Sequence, residues 1–269
     1  MERLVPALPL LLAGMVFQAA ARADTPVDLE LALAVDVSLS IDADEARLQR
    51  QGYVEAFRDP YVIGAIRSGV LGRIAVAYFE WAGTGRVRLV VGWTLIDGPD
   101  GAQAFADTLD RKFLGSARYT SISGAIDFAL PLFDNGFEGT RRVIDVSGDG
   151  PNNRGRLVSR ARDTAVASGI TINGLPILDD GGGPFSRYNI PDLDLYYRDC
   201  VIGGPGAFLV VAVNFKDFAR AIRRKLVLEI AGPTPPKPPR LLPAQAKSKA
   251  RAPPPCDIGE QLIRGIDDF

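Results

Sequence analysis

Asp36, Ser38 and Ser40 stand at alternate positions in the run Asp36-Val37-Ser38-Leu39-Ser40, directly after an apolar stretch. One acid and two hydroxyls at this spacing can converge on a point where a chain turns off a strand end. Hard oxygen donors of this kind suit Mg²⁺, which prefers six oxygen ligands and keeps several waters among them. Taken alone, the pattern is equally that of helix capping, because Ser and Asp after a strand accept from the first N–H groups of a helix. Two further stretches carry similar donors. Tyr119-Thr120-Ser121-Ile122-Ser123-Gly124 puts hydroxyls at the start of an amphipathic helix. Val143-Ile144-Asp145-Val146-Ser147-Gly148-Asp149-Gly150 is a strand-like run with an acid in a glycine-flanked turn.

Composition narrows the chemistry. None of the 269 residues is His, which removes Ser-His-Asp and Cys-His catalysis and every His-ligated zinc or haem. Two Cys are too few for an all-thiolate zinc or iron–sulfur site. A net charge of −1 gives no general attraction to nucleic acid, so no nucleic-acid partner is expected. Neither a phosphate-binding Gly-x-x-x-x-Gly-Lys-Ser/Thr loop nor a Gly-x-Gly-x-x-Gly after a strand is present. Asp36 has the strand-end position of a phosphoryl-accepting aspartate in haloacid-dehalogenase-like enzymes, but Ser38 stands where those enzymes place a second Asp. The run Asp179-Asp180-Gly181-Gly182-Gly183-Pro184 lacks the spaced acids of an EF-hand and reads as a loop.

The elements that must position these residues follow from periodicity. Residues 27–35, 73–81, 86–94, 141–147, 171–178 and 207–213 read as strands. The second and third are separated only by Ala82-Gly83-Thr84-Gly85, as in a hairpin. Residues 43–58, 101–111, 121–133, 157–168 and 217–229 read as helices. This alternation predicts an α/β domain over residues 24–232, with a mostly parallel sheet, one antiparallel edge strand and helices on both faces in three layers. Ligands in such folds sit outside the carboxyl ends of the strands, where the three donor stretches lie.

The ends of the chain read differently. Residues 1–23 combine Arg3, an apolar run and Ala21-Arg22-Ala23, the pattern of a signal peptide cleaved before Asp24. That run is shorter than the roughly 20 residues of a membrane-spanning helix, so the mature chain is expected to be periplasmic or secreted, without a transmembrane segment. In an oxidising compartment Cys200 and Cys256 read as a disulfide, with two free thiols as the alternative. Residues 233–255 hold nine Pro, five Lys or Arg and no acid, which predicts an extended linker. Residues 256–269 are short and amphipathic, and fold back if the disulfide tethers them.

Together the three donor stretches resemble the von Willebrand factor type A (VWA) domain and its metal-ion-dependent adhesion site (MIDAS). In that family Asp-x-Ser-x-Ser follows the first strand, a Thr opens a later helix and an Asp follows the fourth strand. The resemblance assigns Asp36, Ser38, Ser40, Thr120 and Asp149 as metal ligands in a Rossmann-like VWA fold. Tyr78-Phe79-Glu80-Trp81, Ser147 to Asn153 and Gly203 to Phe208 further resemble an exported bacterial family known only as a domain of unknown function. That family implies a fold and a site but no partner; the VWA resemblance implies a binding module with no catalytic residue, whose Mg²⁺ (or Mn²⁺ or Ca²⁺) docks an Asp or Glu carboxylate of a protein partner. Glu80, Asn152 and Asn153 are candidates to hold the ligands from behind. Two rival readings are a metal-dependent hydrolase such as a phosphoesterase, and a structural assembly module in which metal is incidental.

Overall fold

The computed structural model describes residues 24–112, 115–178, 190–232 and 252–267. The expected signal peptide, the Asp179–Pro184 loop and most of the Pro-rich linker lie outside them. Strand β1 (Thr25–Val27) leads into β2 (Leu29–Asp36), which is buried at every position. Its side chains divide by the period of two that a strand imposes. Leu29, Leu31, Leu33 and Val35 enter one core, while Ala32 and Ala34 enter the other. A strand without a solvent face must be central, and β2 is: it pairs in parallel with β3 (Ile74–Trp81) on one side and with β6 (Arg142–Gly148) on the other. The sheet order is β4-β3-β2-β6-β7, where β7 is Thr171–Pro176 and β4 (Val87–Ile96) is the antiparallel edge strand. A separate parallel pair joins β1 to β5 (Phe137–Gly139).

The leucine face carries α1 (Ala43–Arg58), α2 (Pro60–Arg67), α3 (Pro99–Asp110) and α7 (Phe218–Ala231). The alanine face carries α4 (Ile122–Ala129), α5 (Val158–Ala167) and α6 (Leu193–Tyr196), the last continued by a π-helical turn over Tyr197–Val201. Cys200 in that turn is bonded to Cys256, and α8 (Ile258–Asp267) follows, so the expected disulfide and the folded-back tail are both present. No helix among the described residues is long and apolar enough to cross a membrane.

Two expected elements come out differently. Residues 207–213 run beside β7 in parallel register but form only isolated bridges, Gly174 with Leu209 and Ile177 with Ala212. Pro176 has no N–H to give the ladder, and Asn173 Oδ1 takes the Phe208 N–H at 2.9 Å. The helix expected over 121–133 is α-helical only to Ala129 and finishes as a 3-10 turn, Leu130–Phe133, because Pro131 cannot continue the i→i−4 ladder.

One buried polar cluster sits within the leucine face. Lys225 Nζ lies 2.5 Å from Asp145 Oδ1 and 3.0 Å from Glu229 Oε1, and Asn173 Nδ2 donates to Glu229 Oε1 at 2.7 Å. Two carboxylates share one ammonium out of reach of water. Burial, and then the Glu229 charge, push the Asp145 carboxyl up to about 8 despite Lys225. The folded chain therefore keeps a proton that the unfolded carboxyl releases near 3.8, so this group's stabilising contribution declines as pH rises towards 8. Asp145→Asn should flatten that decline. Urea unfolding of both proteins from pH 4 to 9 checks it, and equal slopes would refute the assignment.

Candidate metal centre

The site is built where β2 ends. Ser38 N–H donates back to Asp36 Oδ1 at 2.8 Å, and Ile41 N–H reaches the Ser38 carbonyl at 3.0 Å, which closes a tight turn. The turn sets Ser38 Oγ 3.0 Å from Ser40 Oγ, and Ser40 Oγ donates to Asp149 Oδ1 at 2.8 Å. Asp149 follows β6, whose parallel register places Ser147 opposite Val35, so both acids arrive at the same end of the sheet. Helix capping does not account for these residues. The N-cap of α1 is Asp42, which accepts from the Asp44 and Glu45 N–H groups while Glu45 reaches back to the Asp42 N–H.

Thr120 arrives from the loop before α4. Ser121, not Thr120, caps that helix, accepting from Gly124 N–H at 3.2 Å. Thr120 N–H donates to Asn153 Oδ1 at 2.9 Å, and its carbonyl accepts from Asn153 N–H at 2.8 Å. Thr120 is thereby fastened through its backbone to the loop that carries Asp149. Asn152 Oδ1 accepts from Ser123 N–H at 2.9 Å, a second clasp between that loop and α4. Before Thr120, Tyr119 takes a left-handed φ of 68° beneath the Arg154 guanidinium, which lies 4.3 Å from its ring centroid. Such a backbone costs a side-chain-bearing residue about 1–2 kcal/mol and persists only where its surroundings impose it.

Of the residues expected to stand behind the ligands, Asn153 is bonded to Thr120 and Asn152 to Ser123, and Glu80 lies on β3 among other partners. Its carboxylate is buried in ion pairs with Arg50 and Arg88, and it accepts from Gly115 N–H at 3.2 Å.

Asp36 and Asp149 are 0% and 1% exposed. Burial, followed by the Asp149 charge, holds the Asp36 carboxyl well above the usual carboxylate range, and the bonds from Ser38 only partly offset this. Asp36 Oδ2 is buried with no hydrogen-bond partner. Buried charge of one sign calls for a cation or a proton. The donor set is two carboxylates with the hydroxyls of Ser38, Ser40 and Thr120, all hard oxygen, and it suits a divalent cation better than any soft metal. Among the described residues no group of three or more His, Cys, Asp or Glu forms an alternative centre.

Sequence reasoning missed two contributors. Tyr197, in the π-helical turn, is wholly buried with its hydroxyl aimed at this region, and burial with the charges of Asp36 and Asp149 raises its pKa. Gly148 lies between the two: a Cβ there would be 2.8 Å from Asp36 Oδ2 and 3.0 Å from the Tyr197 hydroxyl. Its place within Ser147-Gly148-Asp149-Gly150 was the available signal, although a glycine in a turn reads first as a turn former.

A family model described as "Protein of unknown function (DUF1194)" matches residues 26–234. The chain belongs to the DUF1194 family. No curated protein matches it. Among solved structures, this DUF1194 chain resembles the pilus adhesin SpaC from Lactobacillus rhamnosus GG (TM-score 0.54, 14% identity, 77% of this chain and 30% of that one). It also resembles proximal thread matrix protein 1 from the mussel byssus (TM-score 0.52, 16% identity, 76% and 46%) and a von Willebrand factor type A protein from Catenulispora acidiphila (TM-score 0.50, 13% identity, 77% and 43%). A further structure of the byssus protein, at TM-score 0.51 and 17% identity, has a zinc-occupied MIDAS motif. The chain thus spans less than half the length of each of these proteins. The shared feature is the fold, and this DUF1194 domain has the VWA fold.

Gly148→Ala should destabilise the domain by about 1–3 kcal/mol, as expected for a methyl forced into a filled space. Urea unfolding in chelator measures this, and an unchanged midpoint would mean that Gly148 is not a contact position.

Proposed function

We propose that this DUF1194 protein is an exported binding module that holds a divalent cation, Mg²⁺ first among candidates, on Asp36, Ser38, Ser40, Thr120 and Asp149, and uses it to dock an acidic group of a protein partner. The observation that carries the reading is the buried, partnerless Oδ2 of Asp36 beside a second buried acid. A fold that gained nothing there would not keep two such charges together. The zinc-occupied MIDAS of the byssus protein and the adhesin SpaC, both sharing the fold, support it. When bound, the ion supplies a Lewis-acidic positive point for a carboxylate oxygen.

The chain's own residues do the rest. Ser38 and Ser40 present hydroxyls from the turn, and Ser40 bridges to Asp149 so that the two loops hold a common geometry. Thr120 is kept in place by Asn153. The carboxylates supply negative charge, and the hydroxyls dilute it, leaving the ion with positive charge to offer a partner. Export as a periplasmic or secreted protein is part of this proposal, supported by the signal-like residues 1–23 and by the disulfide.

Thermal unfolding of residues 24–269 in EDTA and then in millimolar Mg²⁺, Mn²⁺ or Ca²⁺ tests the cation. A concentration of 100 times the dissociation constant should add about 2.7 kcal/mol. Ser38→Ala should abolish the shift and leave the chelated protein folded. No shift with any of these ions, or the same shift in Ser38→Ala, would reject the site. For the docking step, an immobilised poly-glutamate peptide should retain the wild type in Mg²⁺ and release it in EDTA, while Asp36→Ala should pass through. Retention that EDTA does not reverse would reject metal-mediated docking.

A further inference from the structure

The C-terminal helix makes contacts that its distance in sequence gives no reason to expect. Cys256 and Ile258 pack against the alanine-face core, and Ile263 is buried. Gly259 lies so close to the loop after β6 that a Cβ there would fall 2.0 Å from the Asn152 carbonyl oxygen. One residue on, Glu260 Oε1 accepts from Asn152 Nδ2 at 2.7 Å. The Asn152 amide is then satisfied on every side: Nδ2 also donates to the Arg156 carbonyl at 3.2 Å, Oδ1 accepts from Ser123 N–H, and its own N–H donates to the Tyr196 hydroxyl at 3.1 Å. Two acceptors around the amino group and one donor facing the oxygen permit a single orientation of the side chain.

A path of direct contacts follows. Glu260 orients Asn152, Asn152 grips the first turn of α4, and the adjacent Asn153 holds Thr120 by both backbone groups. Asp149 lies three residues before Asn152. The disulfide anchors this arrangement at the same place, because Cys200 follows Tyr196, which meets Asn152, and Tyr197, whose hydroxyl faces Gly148 near Asp36. Helix α8 therefore touches the loop after β6 at Asn152, beside the residue that holds Thr120.

We propose that Glu260 is a positioning residue for the Thr120 and Asp149 loops, held in place by the Cys200–Cys256 bond, so that the disulfide-clipped α8 sets the affinity of the site for its cation. The effect on affinity rests on the reading of the five residues as a cation site; the positioning of the loops does not. Glu260 and Cys256 lie beyond residues 26–234, the stretch that the family model matches, whereas Cys200 lies within it.

The test uses Glu260→Ala, Glu260→Gln and the reduced wild type in the full mature chain. Mg²⁺ titration by calorimetry should show affinity weakened about tenfold in Glu260→Ala, the scale expected when a group that orients a ligand is lost. Glu260→Gln, whose amide oxygen still accepts from Asn152, should restore it, and reduction should mimic the alanine variant. In EDTA, amide exchange at Thr120, Ser123 and Asn153 should quicken in Glu260→Ala and in reduced protein but not in Glu260→Gln. Unchanged exchange at these three amides in Glu260→Ala would overturn the proposal, as would a glutamine variant no better than alanine. Quickened exchange in a protein whose wild type binds no ion would uphold the positioning role and reject the cation site instead.

Discussion

The burial of β2 on both faces is the constraint from which the rest of the structure follows. A strand with a leucine core on one side and an alanine core on the other has nowhere along its length to do chemistry. Functional groups must stand at its end, where the chain leaves the sheet, and parallel pairing delivers the end of β6 to the same place. The inequality of the two faces also matters. The small side chains of Ala32 and Ala34 belong to the face that α4 and the π-helical turn cover, and those elements carry Thr120 and Tyr197 to the strand ends.

Two groups of buried acids in this fold make an instructive contrast. Asp145 and Glu229 are supplied with an internal cation, Lys225, and with a hydrogen bond from Asn173. Asp36 accepts from the Ser38 N–H, and Asp149 accepts from the Ser40 hydroxyl. The first cluster is closed by the chain itself, so it belongs to the core. At the second, burial and the neighbouring Asp149 charge raise the proton affinity of Asp36. The contrast is between acids gathered on a buried ammonium and acids that adjoin one another at the strand ends.

Much of this was legible in the sequence. The apolar runs ending at Asp36, Trp81 and Ser147 gave the central strands and their order of alternation with helices, because a doubly buried strand leaves an unbroken apolar signature. The donors after Val35, before α4 and after β6 were legible because hydroxyls and acids are conspicuous at the ends of such runs. Other features were not. The loss of a ladder beside β7 came from one missing N–H at Pro176 and one side-chain capture by Asn173, details below the resolution of periodicity. The path from Glu260 to Thr120 joins residues 140 apart and is visible only once the disulfide has brought the tail home.

The burial of Cys200 also bears on the order of assembly. Its side chain has no solvent exposure in the folded protein, and thiol–disulfide exchange needs an attacking thiolate to reach the sulfur in line. Exchange with an external thiol therefore runs through the half-buried Cys256, with Cys200 joining from within once α8 is at hand. The bond joins residues 56 apart in sequence. An under-oxidised molecule is expected to be a folded domain whose tail has yet to dock.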